Sequence, residues 1–167
     1  MALKADRYEE STDISFFYNE GTATRGGVVI IDADNASASG AALDQGESLV
    51  KYATPAATDV PVGILLNDVV NKDLTRTHLN QHKDEVQKGG KVTILTRGWV
   101  VTDKITGSPV AGNAAYASTT GTVAANTTLG GSAASGNLAV GRFMSSKDAD
   151  GYAKVYVNLP NHGGDRS

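Results

Sequence analysis

A mainly β fold, with short strands joined by turns, an extended N-terminal arm and little helix, is what this sequence predicts. Three observations predict it. The composition favours small residues, with 19 glycines in 167 residues and only 6% aromatics, which suits close-set strands and frequent turns. Short β-branched runs alternate with clusters of Gly, Asp, Asn and Ser, the punctuation of strands and turns. Near the C-terminus, Lys154-Val155-Tyr156-Val157-Asn158-Leu159 alternates at period two, the pattern of a half-buried strand. The length suits one domain with an appended arm, divided as residues 1–24 (arm), 25–160 (β-rich body) and 161–167 (a frayed tail).

The first residues stand apart. Residues 1–12 are polar and charged, and Phe16, Phe17 and Tyr18 then gather three of the ten aromatics in one short stretch. Two readings are open: an arm that docks elsewhere through an aromatic plug, or a first strand tucked into its own domain. Strand signals begin with Val28-Val29-Ile30-Ile31, which ends at the turn-rich Asp32-Ala33-Asp34-Asn35. Residues 47–54 predict a second strand and residues 60–70 a third, broken by Gly63. Pro61 places that strand at an edge or marks its start, because proline donates nothing to a ladder.

Residues 71–88 form a charged excursion with apolar residues only at Leu74, Leu79 and Val86, too sparse for an amphipathic helix. Residues 91–103 are the richest strand material, as two strands or one bent at Gly98. Further strands are expected at Tyr116, across 138–144 and across 152–159, with a loop over 118–137. A faint internal echo pairs Tyr52-Ala53 and Val62-Gly63-Ile64 with Tyr116-Ala117 and Val140-Gly141-Arg142, as a barrel or sandwich of related hairpins would.

Several function classes lack their residues. A net charge of −3 leaves no electrostatic footprint for nucleic acid. No run approaches the ~20 apolar residues of a membrane span, and residues 1–20 lack the apolar core of a signal peptide. With no cysteine there is no disulfide, thiolate nucleophile or Cys-based metal site. His78 and His82 stand four apart, the spacing that puts two zinc ligands on one helix face. The metalloprotease form needs a glutamate after the first histidine, where Leu79 stands, and no third ligand lies nearby. They read as solvated or interface histidines. Asp148-Ala149-Asp150-Gly151 resembles the start of a calcium loop, but its twelfth position is Leu159, not a bidentate Glu. An Asp-Gly turn into the following strand is the better reading. Trp99, with Tyr116, could grip a sugar ring as a carbohydrate-binding or adhesin module would; a core or interface anchor is the other reading. No catalytic set, metal site or cofactor site is found.

Three stretches carry a resemblance. They are Asp13-Ile14-Ser15-Phe16-Phe17 with Arg25-Gly26-Gly27-Val28-Val29; Val60-Pro61-Val62-Gly63-Ile64-Leu65-Leu66-Asn67-Asp68 into Asp73-Leu74-Thr75-Arg76; and Lys83-Asp84-Glu85-Val86 through Lys91-Val92-Thr93 into Gly98-Trp99-Val100. Val140-Gly141-Arg142-Phe143 and residues 147–155 fit the same type. Together they resemble the head decoration, or cement, proteins of tailed phages. That resemblance implies a compact β-barrel or jelly-roll-like sandwich, made in the host cytoplasm and bound to the outer surface of the virion head. It further implies the major capsid protein as partner, self-association as homodimer or homotrimer, and no enzymatic activity. Phe16, Phe17 and Tyr18 are the expected interface anchors, since buried aromatics dominate interface energetics. Arg76, His78, His82 and Lys83 on the charged excursion are the second expected contact.

Overall fold

A computed structural model of the chain describes residues 2–32, 48–53, 60–71, 85–125 and 139–159. Its centre is β8 (Ile94–Thr102), one nine-residue strand that runs unbroken through Gly98. The last six residues of β8 pair antiparallel with β13 (Ala153–Asn158), which pairs onward with β12 (Ala139–Phe143) and then β10 (Ala114–Ala117). Beyond β10 lie β11 (Val123–Ala125) and β9 (Ile105–Thr106). The first residues of β8, Ile94 and Leu95, pair instead with β5 (Pro61–Leu65). From there the sheet continues through β3 (Val28–Ile31) and β4 (Leu49–Tyr52) to β2 (Phe17–Tyr18). The opposite edge of β8 carries β1 (Leu3–Asp13) along its whole length. A separate parallel pair joins β6 (Asp68–Val70) to β7 (Glu85–Gln87).

The expected mainly β fold is present, but the sheet does not close into a barrel. Its terminal strands, β2 and β9, do not pair with each other. Each is two residues long, and each meets something else. The Tyr18 amide donates to the carbonyl of Gly90 in the segment entering β8. At the other end, Lys147 Nζ donates to the carbonyls of Ile105 and Gly107. A lysine on an edge is a common device against further strand pairing.

Two apolar clusters explain the strand patterns. The larger gathers Val28, Ile30 and Ile64 with Val100, Val140, Phe143, Val155 and Val157, so the two arms of the sheet share one core. The smaller packs Val29, Val50, Leu65, Ile94 and Tyr18. Because β3 sends alternate side chains to the two clusters, it is buried on both faces. That is why Val28, Val29 and Ile30 read as an uninterrupted apolar run; Ile31, at its end, is exposed.

The expected break at Gly63 falls instead at Leu66 and Asn67, and β5 passes straight through the glycine. A Cβ at Gly63 would stand 2.2 Å from the Leu95 carbonyl oxygen, and one at Gly141 would stand 1.9 Å from that of Tyr156. Both glycines of the internal echo thus serve close approach of a neighbouring backbone. Pro61 is the first residue of β5, where a missing amide donor costs nothing; the strand itself is interior. The expected loop over 118–137 contains a 3₁₀ turn at Thr119–Gly121 and then β11, which is buried.

Tyr18 is 1% exposed, with its ring edge-on to Tyr52 at 6.0 Å. Burial raises the pKa of its hydroxyl far above the usual tyrosine value, with Glu20 and Tyr52 adding to the effect; burial raises Tyr52 in the same direction. A raised folded-state pKa means stability that is intact below the unfolded value of about 10 and lost as pH climbs past it. The thermal midpoint is therefore expected to fall steadily between about pH 10 and 12. Tyr18→Phe should flatten that fall; identical slopes for both proteins would contradict the assignment to Tyr18.

Candidate interaction surface

β1 is an unusual strand. Its eleven residues bury one side chain fully, that of Leu3, and residues 5–12 are all exposed. Backbone bonds and a few polar anchors hold it. Thr102 Oγ1, wholly buried, lies 3.1 Å from the Ala2 carbonyl and 3.0 Å from that of Gly26. Lys4 Nζ donates to Asp148 Oδ2 at 3.0 Å, and Arg97 Nε stands 3.2 Å from Glu10 Oε2. Ser11 accepts from Thr96 Oγ1 at 3.0 Å.

The face of the sheet opposite the larger core is where aromatic side chains collect. Tyr8, Trp99 and Tyr156 occupy one register line across β1, β8 and β13, and Arg142 of β12 continues it. Directly opposed residues share a sheet face. Lys154 Nζ stands 3.3 Å from the Trp99 ring centroid, and Lys4 Nζ 4.3 Å from that of Tyr152. On β10, Tyr116 points to the same side, since its neighbours Ala115 and Ala117 enter the core. Four of the six tyrosines and the single tryptophan thus lie at this face, none of them buried. Tyr8 is 54% exposed. Arginine, tyrosine and tryptophan are the residues enriched in protein interfaces.

Exposed ion pairs and hydrogen bonds join these strands at the surface. The Tyr156 hydroxyl, then the Glu10 carboxylate, raises the pKa of Arg97. Asp148 is lowered, first by the Tyr152 amide that it accepts and then by Lys4. Its Oδ1 also takes the Asp150 amide at 3.1 Å, so this carboxylate builds its own turn into β13. The expected Asp-Gly turn is present, with Gly151 at φ 89°. No group of three potential metal-ligating side chains occurs among the described residues.

The aromatic plug expected as an interface lies against the chain's own smaller cluster. Phe16 packs on it, half-buried; Tyr18 is inside it; Phe17 is half-buried, with Lys91 Nζ 5.5 Å from its ring centroid. Arg76, His78, His82 and Lys83 lie outside the described residues. Beside the roots of that excursion, Thr22, Thr24, Tyr52, Asp68 and Glu85 line an open cleft of about 340 Å³. Sequence reasoning marked Trp99 and missed Tyr8, Tyr156 and Arg142. The period-two pattern of β13 was the available signal, because it sets Tyr156 and Lys154 on the wet side.

The sequence matches the family described as Structural cement protein (E217 gp24/Pam3 gp6) over residues 12–158. The chain belongs to the phage structural cement proteins. No curated protein matches it. Among the described residues no helix is long and apolar enough to cross a membrane.

Proposed function

We propose that this protein binds the outer surface of the assembled head and stabilises contacts between major capsid protein subunits, without catalysing a reaction. The observation that carries the reading is the family match over residues 12–158. Surface buried across two capsid subunits exists only in the assembled shell, so binding shifts the equilibrium toward that shell by mass action. The Tyr8, Trp99, Tyr156 and Arg142 face is the contact we assign. Phe16 and Tyr18 act from inside, anchoring the root of β1, and Phe17, half-buried beside Lys91, is a further contact. Arg76, His78, His82 and Lys83 form the second contact, with Arg76 and Lys83 suited to acidic patches of the partner.

A sugar-binding reading has less support, since the Lys154 ammonium already holds one face of the Trp99 ring. Trp99 and Tyr116 are also three strand steps apart, about 14 Å at ~4.8 Å per step.

The test uses capsid particles depleted of the protein and measures rebinding by co-sedimentation. Tyr8→Ser combined with Arg142→Glu is expected to weaken binding about tenfold or more, as loss of interface anchors does. The thermal midpoint should stay within a few degrees. Unchanged binding would overturn the assignment of this face; failure of the unmodified protein to bind particles would overturn the cement reading itself.

A further inference from the structure

We propose that β1 is an exchange strand, which leaves the β8 edge of its own chain and pairs with β8 of a second copy. The observations concern what β1 contributes and what it leaves behind. It gives the core one side chain, Leu3, so its departure leaves the larger cluster otherwise intact. It uncovers the full edge of Ile94–Thr102, which carries Ile94, Leu95, Trp99, Val100 and Val101. An unpaired edge of that length and apolarity demands a new strand.

The complement that fits this edge is written in the chain itself. Seven registered residue pairs, the irregular steps between them, the Lys4–Asp148 pair and the Arg97–Glu10 pair together specify one partner sequence and one direction. A second copy reproduces every one of those contacts; an unrelated strand reproduces none of the side-chain pairs. Exchange of an identical element is for this reason a low-cost route to association.

The hinge is also defined. Phe17 and Tyr18 are fixed to β4, and Phe16 packs on the smaller cluster and accepts the Val92 amide, so the hinge is Ile14 and Ser15. There the Asp13 carboxylate accepts the Ser15 amide at 2.7 Å, a local turn that survives when the strand moves, and Ile14 is 64% exposed. Since contacts are conserved, concentration decides the outcome. A short linker gives an effective concentration in the millimolar range, so dilute protein stays closed and crowded copies exchange.

The absence of cysteine makes the test clean. Ser11 and Arg97 are registered partners on β1 and β8, both exposed. Proteins carrying Ser11→Cys alone and Arg97→Cys alone are mixed at about millimolar concentration, the closed-chain range. They are then oxidised and resolved on non-reducing gels. A mixed disulfide dimer is expected in at least several-fold excess over a control mixture of Ser11→Cys with Ser108→Cys. The double variant, oxidised at micromolar concentration, should close within one chain, which shows that the register is correct. Mixed dimers no more abundant than in the control, with the double variant closed at every concentration, would overturn exchange. Both measurements use free protein, so their outcome is independent of whether capsids are bound.

Discussion

Phe143→Ala is expected to lower the unfolding free energy by about 4 kcal/mol, within the range for emptying a buried phenylalanine site. Phe143 is fully buried and is the largest side chain of the cluster shared by both arms of the sheet. It sits on β12 opposite Val155, and both of its backbone polar groups are tied to the turn before β10, donating to the Asn113 carbonyl and accepting from the Gly112 amide. Those bonds prevent the strand from collapsing inward to fill the space, so most of the cavity persists. Against a typical total of about 5–15 kcal/mol, such a loss leaves the protein marginal at 37 °C. Urea denaturation followed by tryptophan fluorescence measures it. A loss below about 1 kcal/mol would mean that Phe143 is not in a packed core.

Gly98→Ala is expected to dislodge β1 while sparing the body. Gly98 has φ near +140°, a conformation that L side chains rarely adopt, and an added Cβ would stand 2.1 Å from the Tyr8 carbonyl oxygen. Neither atom belongs to a flexible side chain, so β1 must move or β8 must bend. The weaker element yields first, and β1 has little burial to resist with. Backbone strain of this kind costs about 1–3 kcal/mol. Limited trypsin digestion is expected to cut at Lys4 and Arg7 several times faster than in the unmodified protein, with the thermal midpoint of the body falling much less. Unchanged cleavage would contradict the close packing of Gly98 against Tyr8.

The strands that packing creates were legible, and those that pairing alone creates were not. Val28–Ile31 and Ala153–Asn158 announce themselves because burial on two faces or one leaves a run or an alternation. Residues 3–13 do not, because their order comes from the β8 edge and a few ion pairs, not from apolar side chains. Val123-Ala124-Ala125 is buried but nearly featureless, since alanine carries little strand preference. A barrel or jelly-roll-like sandwich was what the family resemblance implied; whether a sheet closes depends on its two terminal strands, whose edges here are taken by Gly90 and Lys147. The interaction face has the same character. Trp99 was marked from the sequence and Tyr156 was not, although the alternation of β13 carried the signal for it; Tyr8 and Arg142 join them only through register between strands far apart in sequence. The aromatic plug was visible as a plug; of the two readings left open for it, the structure places it against the chain's own smaller cluster.

The parallel ladder of β6 and β7 has a practical consequence. Pairing of Asp68–Val70 with Glu85–Gln87 holds the strand before the intervening segment beside the strand after it, three residues against three. Lengthening a closed loop is cheap, about 0.6 kcal/mol for each doubling. The position between these two strands is therefore a natural grafting point. A foreign peptide or reporter spliced there would inherit a ready-made base, leaving the sheet, its two cores and its aromatic face to fold as before.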